Sequence, residues 1–265
     1  MTGGLLVSEL LIDDADGVRT FTLNRPESFN SFTVALKERF LEAVVETAAD
    51  DAVRAVVITG AGKAFCAGQD LKEHVALLEA GDPAPLHTVE RHYNPLIKAI
   101  VGMPKPVIAA VNGTAAGAGA SLAYACDLRV AGAGAKFLMA FANVGLTADS
   151  GASWTLPRLI GHGRAMEMML LAQPVGAEEA LRIGMVGQVV PDGEVLSTAQ
   201  ALARQLAAGP TTAYAKIKEA MAFSGELAAA LDVEARTQAE AGATADHREA
   251  VAAFVAKRKP TFTGR

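Results

Sequence analysis

Apolar residues over the first 190 positions recur in two spacings, and segments with these spacings alternate along the chain. The runs at 5–12 and 18–23 are typical of strands, and the acidic segment between them ends in Gly17, which together predict a β-hairpin. Residues 33–49 place apolar side chains at helical spacing, and 54–60 has the composition of a buried strand. The alternation continues with predicted strands at 107–111, 128–131, 136–139 and 187–190 and predicted helices at 88–102, 118–126, 151–160, 163–171 and 177–183. This order favours an α/β fold.

The pattern changes after Asp192, where the periodic segments are all helical. Apolar positions predict helices at 193–208, 210–223, 226–240 and 245–257. We therefore expect a core over residues 1–191 and a helical region over 192–265. This second region is expected to pack as a subdomain or against a neighbouring subunit.

Charge and cysteine content disfavour several classes of protein. The 265 residues include 24 basic and 29 acidic side chains, a formal net charge of −5, so no broad basic field is available for nucleic acid. Cys66 and Cys126 are too few for a disulfide framework, which favours a reducing cytoplasm. The first residues lack the basic segment of a secretory leader, and the apolar stretch 99–125 is interrupted by glycines and two prolines. We therefore expect a cytoplasmic protein without a membrane or nucleic-acid partner.

Two glycine-containing turns each follow a predicted buried strand: AFCAGQDL at 64–71 and NGTAAGAGASL at 112–122. Each leads into a helix whose first amide hydrogens lack an intrahelical acceptor. Two such amides directed at one oxygen would stabilise negative charge developing on it. The alternative is that the glycines only allow close packing. A dinucleotide-binding loop is disfavoured, because the second turn does not fit the G-x-G-x-x-G spacing.

A single carboxylate interrupts a long uncharged segment. Asp149 is the only titratable side chain between Lys136 and Arg158, and its neighbours in sequence are largely apolar. Such neighbours would desolvate the carboxylate and raise its pKa, making it a stronger base. The segment TADSGASW also has the composition of a helix start, so an N-cap role is the alternative interpretation of Asp149.

Six segments together resemble the crotonase (enoyl-CoA hydratase/isomerase) superfamily in order and spacing. They are LNRPESFNSF, ITGAGKAFCAGQDL, KPVIAAVNGTAAGAGASLAYACDLRVA, AKFLMAF, GLTADSGASWTLPRLIG and AFVAKRKPTF. Within the superfamily, FCAGQDL, YNPL, AKFLMAF and the Asp149 segment are most similar to the phenylacetate-pathway isomerases, which act on ring-epoxidised phenylacetyl-CoA and related enoyl-CoA esters. The resemblance implies the crotonase (ClpP/crotonase-like) fold, with repeated ββα units in two roughly perpendicular sheets. It also implies a helical C-terminal region that builds trimers or dimers of trimers.

The same resemblance implies a catalytic arrangement. The thioester carbonyl would accept hydrogen bonds from the backbone amides of Gln69 and Ala118, and Asp149 would carry a proton between two carbons of the acyl group. Similar hydratases use two glutamates where this chain has Ser121 and Phe141, so isomerisation is favoured over hydration. Hydration through Asp149, ring formation or opening, and non-catalytic acyl-CoA binding are the alternatives.

The remaining predicted site residues also follow from the resemblance. Coenzyme A would enter as part of an acyl-CoA thioester substrate, and no metal or redox cofactor is implied. Residues expected to contact the CoA portion are Arg25, Ser28, Lys63, Ala67, Lys72, Phe254 and Lys257, the last two from a neighbouring subunit. Residues expected to shape the acyl pocket are His74, Leu138, Phe141 and Trp154. Ordinary solvated charge and core packing are the alternative roles for these residues.

Overall fold

The computed structural model describes residues 8–265, in which strands and helices alternate before a helical C-terminal part. The strands are β1 (Leu10–Ala15), β2 (Val18–Leu23), β3 (Ala55–Gly60), β4 (Ala64–Cys66), β5 (Val107–Val111), β6 (Thr114–Ala116), β7 (Leu128–Gly132), β8 (Lys136–Leu138), β9 (Val175–Gly176) and β10 (Gln188–Val190). The helices are α1 (Val34–Ala49), α2 (Leu71–Glu79), α3 (Asn94–Val101), α4 (Ala118–Ala125), α5 (Ala152–Ile160), α6 (His162–Leu171), α7 (Ala177–Arg182), α8 (Val195–Ala207), α9 (Thr211–Ala222), α10 (Leu227–Gly242) and α11 (Ala245–Val255). The predicted α/β order is confirmed; the first residues of the predicted strand 5–12 lie outside the described part of the chain.

The strands form two sheets that the chain visits in turn. The larger has the order β1-β2-β3-β5-β7-β10 and the smaller the order β4-β6-β8-β9. β1 and β2 form the predicted antiparallel hairpin, and the remaining neighbours in the larger sheet are parallel. The pairs β3–β4, β5–β6 and β7–β8 each pass from the larger sheet to the smaller, and the first two continue into α2 and α4. This is the repeated ββα unit that the resemblance implies.

The sequence pattern did not predict strands β4, β6 and β9. These strands are three, three and two residues long, too short to display a period of two. β4 and β6 lie inside the glycine-containing turns and pair with each other. Their close approach depends on Gly113, since a Cβ atom there would lie 2.1 Å from the carbonyl oxygen of Lys63. Tertiary pairing, rather than local pattern, therefore creates the smaller sheet.

Both faces of the central strands β3 and β5 are buried, as their nearly continuous apolar sequences predict, whereas the edge strand β1 is mostly exposed. In β3, Val56 and Ile58 belong to the main core, while Ala55 and Val57 belong to a second cluster beneath α8. Successive side chains of a strand point to opposite faces, so β3 serves both clusters. Large side chains fill the main core, which includes Phe21, Phe40, Phe65, Leu122 and Phe137.

The helices after residue 192 take two different positions. α8 packs its buried face, Val195, Ala199 and Ala203, on the larger sheet and is thus part of the core packing, which the predicted boundary at 191/192 did not anticipate. α10 packs against α9, and the three helices α9, α10 and α11 leave large apolar side chains exposed. The most exposed are Met221 (79%), Leu227 (74%), Phe254 (85%) and Val255 (77%). Across residues 8–265, no helix combines the length and apolarity required to span a bilayer.

Candidate active site

The two glycine-containing turns meet at one place in the fold. Gly68 in the first turn has φ +91°, and a Cβ atom built on it would lie 2.9 Å from the carbonyl oxygen of Ala116 and 3.2 Å from the amide nitrogen of Ala118. Gly119 is equally constrained, because its Cβ would lie 2.2 Å from the carbonyl oxygen of Cys66. Side chains at these positions would push the turns apart. The glycines therefore provide the close packing that one interpretation of the sequence required, and this packing brings Gln69 and Ala118 together.

In each turn, one backbone amide finds no acceptor among residues 8–265. Around Phe32, the amide of Phe32 donates to the oxygen of Gly68 (2.7 Å) and the amide of Asp70 donates to the oxygen of Phe32 (3.0 Å), so the Gln69 amide is skipped. Ala118 is the first residue of α4, where an N–H has no intrahelical acceptor. Gly117, just before it, has φ +50° and ψ −125°, a conformation that favours glycine. Two amide donors thus border one cavity.

Asp149 lies on the same cavity in the loop before α5. Its side chain does not cap that helix: the N-cap residue is Gly151, and only the backbone oxygen of Asp149 accepts a hydrogen bond, from the amide of Ala152. The N-cap interpretation is therefore wrong. The Oδ1 atom is buried and has no hydrogen-bond partner among residues 8–265. Burial raises the pKa of this carboxyl; the neighbouring Ser150 hydroxyl opposes that rise, and the positive charge of Lys37 opposes it to a smaller extent.

The cavity has a volume of about 620 Å³ and largely apolar walls. Eight predicted site residues line it: Ser28, Ala67, Gln69, Lys72, His74, Ala118, Phe141 and Asp149. Apolar side chains from α2, the loop after it and the segment 140–146 complete much of the wall, namely Leu71, Leu78, Leu86, Val89, Val144 and Leu146. A space of this size and polarity suits an acyl or aryl group better than a sugar or a nucleotide base.

Arg25, which was predicted to contact CoA phosphates, is engaged by acidic side chains of its own chain, and its CoA contact stays a prediction. Its guanidinium forms ion pairs with Asp70 (2.8 Å) and Glu9 (3.0 Å) and also donates to the oxygen of Ser31 (2.6 Å). Asp70 in turn caps α2 by accepting from the amides of Lys72 and Glu73. Burial opposes the Asp70 charge, but the hydrogen bonds from Arg25, the Glu73 amide and Ser31 together with the positive charge of Arg25 outweigh it and lower the Asp70 pKa. Arg25 therefore braces the start of α2.

Trp154 and Leu138 were expected in the acyl pocket, but the structure places them outside its wall. The Trp154 ring packs under the guanidinium of Arg158, with 3.8 Å between the guanidinium carbon and the ring centroid. It lies on α5, which directs its buried face, including Leu156, to the core instead. Leu138 ends β8 and contributes its backbone oxygen, which accepts from the amide of Gly117 (2.9 Å). Leu138 thus supports the second turn without lining the cavity.

Three further predicted CoA contacts also lie away from the cavity wall. Lys63 is exposed in the turn between β3 and β4. Phe254 is on α11 with 85% of its surface exposed, and Lys257 is exposed just beyond that helix. The expected contribution of Phe254 and Lys257 from a neighbouring subunit stays a prediction, as does the contact of Lys63 with CoA.

A group of polar residues behind the first turn was not indicated by the sequence pattern. Lys37 Nζ donates to Gln69 Oε1 (3.0 Å) and to Thr88 Oγ1 (2.5 Å), and the hydroxyl of Tyr93 donates to the same Gln69 oxygen (2.5 Å). One signal was present: Lys37 falls on the buried stripe of α1 with Phe40 and other apolar residues. Within residues 8–265, no group of three or more His, Cys, Asp or Glu side chains is arranged to hold a metal ion.

The order of the strands through the two sheets assigns the protein to a structural class, the crotonase fold. The chain superposes on the crystal structure of an enoyl-CoA hydratase from Polaromonas sp. JS666 with a TM-score of 0.90 at 35% sequence identity, covering 96% of this chain and 99% of that one. Its residues 13–265 match the profile of a family described as enoyl-CoA hydratase/isomerase. The chain belongs to the enoyl-CoA hydratase/isomerase family.

Relatives within this family carry different activities in their names. The chain is 47% identical over 253 residues to the 1,2-epoxyphenylacetyl-CoA isomerase of Escherichia coli K12, covering 94% of this chain and 96% of that protein. It is 46% identical over 254 residues to a Rhodobacter capsulatus protein described as a probable enoyl-CoA hydratase, covering 95% and 96%. Family membership thus supports an acyl-CoA isomerase or hydratase, and the choice between the two depends on the site.

Proposed function

We propose that this protein is an acyl-CoA isomerase that shifts a double bond, or rearranges a ring epoxide, in a CoA thioester. The observation that carries the proposal is a buried carboxylate oxygen of Asp149 without a partner among the described residues, on the cavity bordered by the Gln69 and Ala118 amides. Elsewhere on the described cavity wall, the acidic residues are Glu27, which is exposed, and Asp70, which is held by Arg25.

In the proposed mechanism, the thioester oxygen binds between the amides of Gln69 and Ala118. These donors stabilise the enolate that forms when Asp149 removes a proton next to the carbonyl or at the conjugated position. Asp149 then returns the proton to another carbon, so one residue acts first as base and then as acid. Loss of one donor of this kind typically costs about 10²–10³ in rate. The raised pKa of Asp149, caused by its burial, makes the carboxylate a stronger base.

The environment of Ser121 and Phe141 supports isomerisation over hydration. Ser121 is fully buried, and its hydroxyl donates to the oxygen of Gly117 (3.0 Å). Phe141 presents an aromatic ring to the cavity. Addition of water across a double bond needs one group to activate water and one to protonate carbon, and neither side chain can do this. The Escherichia coli relative named as an isomerase is consistent with this choice.

The proposed substrate is an apolar enoyl or aryl ester of coenzyme A. Ser28, Ala67 and Lys72 are proposed to lie along the path of the CoA portion, since all three line the cavity. We further propose a homotrimer, or a dimer of trimers, in which α11 of a neighbour brings Phe254 and Lys257 to the nucleotide. The exposed apolar side chains of the C-terminal helices support this association.

The deciding experiment compares the wild-type protein with Asp149→Asn on a panel of 3-enoyl-, 2-enoyl- and aryl-CoA esters in deuterated water. Mass spectrometry would follow isomer formation and deuterium incorporation. We expect the variant to bind the esters but to lose at least about 10³-fold in turnover and in exchange. Ser121→Ala is the control and should retain turnover. Unchanged turnover in Asp149→Asn would remove the assignment of the base, and net addition of water by the wild type would favour a hydratase.

A further inference from the structure

Lys37 is a fully buried lysine behind the wall of the proposed active site. It lies on α1 in the same stripe as Leu36 and Phe40, and 0% of its surface is exposed. Burying an ammonium group is costly unless it is well hydrogen-bonded. Its Nζ donates to Gln69 Oε1 and Thr88 Oγ1 and lies 4.8 Å from the centroid of the Tyr93 ring. The protein therefore holds a cation directly behind the first glycine-containing turn.

These contacts determine how the Gln69 side chain is oriented. An ammonium group only donates hydrogen bonds, so the carboxamide atom facing Lys37 is the oxygen. The Tyr93 hydroxyl donates to the same oxygen at 2.5 Å. Burial raises the pKa of Tyr93 well above its usual value, so this hydroxyl keeps its proton and continues to donate. The Gln69 side chain is thus anchored from two sides, and the residue itself lines the cavity.

We propose that Lys37 is a positioning residue, which acts through Gln69 to fix the oxyanion-binding turn and places a positive charge behind the reacting atoms. This inference rests on the proposed function, because the turn and Asp149 are the parts on which Lys37 acts. Lys37 on α1 contacts the side chain of Gln69, and Gln69 belongs to the turn that is proposed to bind the thioester. Nothing in it requires Lys37 to touch the substrate.

The charges around Lys37 explain why its protonation state matters. Four carboxylates favour its charged form, those of Glu73, Asp149, Asp70 and Glu38. His92 faces it through Thr88, whose Oγ1 lies 3.0 Å from His92 Nδ1, and Lys37 contributes to lowering the His92 pKa, which burial lowers most. Burial outweighs the four carboxylates and lowers the pKa of Lys37 to about 8. The positive charge behind the turn is therefore lost as the pH rises through this value.

Loss of the Lys37 charge as the pH rises should increase stability, although it should decrease activity. Between the folded-state pKa of about 8 and the ordinary value of 10.5, the unfolded chain binds more protons, so the free energy of unfolding rises with pH. Below pH 8 the charged Lys37 lowers stability relative to a neutral side chain of similar volume. A role in activity, rather than in stability, accounts for a lysine at this position.

The test compares Lys37→Met with Lys105→Met, which removes another buried lysine. Lys105 is 5% exposed, and its Nζ donates to the backbone oxygens of Thr47 and Asp50, away from the cavity. We expect Lys37→Met to lower kcat by about 10- to 100-fold with KM changed by less than about threefold. In the pH profile of kcat, the wild type should lose activity above about pH 8 (the alkaline limb), and this loss should be absent in Lys37→Met. The loss of activity at low pH (the acid limb) should move to higher pH in Lys37→Met, because Asp149 loses a favourable charge. Lys105→Met should leave kcat and both limbs as in the wild type.

A second measurement does not depend on turnover. Hydrogen exchange followed by mass spectrometry should show faster exchange in the peptide covering residues 66–72 in Lys37→Met, and wild-type exchange there in Lys105→Met. Lys37→Gln keeps a donor for Gln69 but carries no charge. The 66–72 peptide should therefore exchange as slowly as in the wild type, while the alkaline limb of the kcat profile should still be absent. It also serves if Lys37→Met does not fold.

The outcomes separate this inference from the proposed function. A wild type that converts no CoA ester would overturn the proposed function, while exchange in the 66–72 peptide would still decide whether Lys37 anchors the turn. Conversely, an active enzyme that needs Asp149 but has the same pH profile and the same exchange in Lys37→Met would overturn the role of Lys37 alone.

Discussion

Asp149 carries its charge at a place where burial opposes it. Its Oδ1 is enclosed and finds no partner among the described residues, and near the start of α5 only its backbone oxygen accepts a hydrogen bond, from the amide of Ala152. Residues arranged in this way are more useful to a reaction than to folding. The same contrast applies to Lys37, whose charge is opposed by burial and favoured by nearby carboxylates, that of Asp149 among them.

At the residue scale, Asp149→Asn should stabilise the protein while it abolishes activity. Because burial raises the folded-state pKa of Asp149, the folded state binds the proton more tightly, and the free energy of unfolding falls as pH rises through that range. The neutral amide avoids this cost. We expect the Tm at pH 7 to rise by roughly 1–4 °C, measured by calorimetry. Asp13→Asn, which changes an exposed carboxylate in β1, should leave the Tm unchanged; a lower Tm in Asp149→Asn would show that its carboxylate is a structural group.

At the scale of elements, the site depends on the contact between the two turns. Gly68→Ala would place a Cβ atom 2.9 Å from the Ala116 oxygen in a residue with φ +91°. We expect a loss of about 10²-fold in kcat and of about 1–3 kcal/mol in the free energy of unfolding. The matched control is Gly81→Ala, where φ is +69° but no atom lies within 4 Å of the new Cβ. It should lose only about 1–2 kcal/mol of stability and keep kcat, and equal kcat losses in both would contradict the proposed packing role of Gly68.

The start of α2 provides a second test at this scale. Arg25 braces the capping residue Asp70, so Arg25→Met should lower the free energy of unfolding by about 1–3 kcal/mol, measured in urea. A contact with CoA phosphates would instead raise KM and leave stability unchanged. Lys63→Met, at an exposed position in the neighbouring turn, is the control for stability and should match the wild type.

At the scale of the whole molecule, the exposed apolar side chains of α9–α11 support the proposed association with neighbouring subunits. Phe254 is 85% exposed on α11, and Phe254→Asp should shift the protein from the proposed trimer toward smaller species in analytical ultracentrifugation. The same preparation should show a higher KM for CoA esters, because a neighbour's α11 would no longer cover the nucleotide. Val45→Asp, at a 54% exposed position on α1, should keep the wild-type mass. A wild type that sediments as a monomer would contradict the trimer.

Much of this architecture was predictable because local pattern determines it. Apolar spacing predicts buried strands such as 107–111 and helices such as 33–49, and the glycines of the two turns indicate where the backbone bends. The short strands β4 and β6 were not predictable, since three residues carry no period and their pairing comes from distant parts of the chain. Similarly, nothing local indicated that α8 would cover the larger sheet.

In the candidate site, too, some features follow from local sequence and others only from tertiary packing. The sequence alone determined that one carboxylate, Asp149, stands in an uncharged segment, and that Gln69 and Ala118 belong to turns able to offer backbone amides. Tertiary structure decided that these three share one cavity, that Arg25 is bound to Asp70, and that Lys37 supports Gln69 from behind. The physical reason is range: backbone conformation follows from neighbours in the chain, whereas the partner of a buried charge is set by which elements pack together.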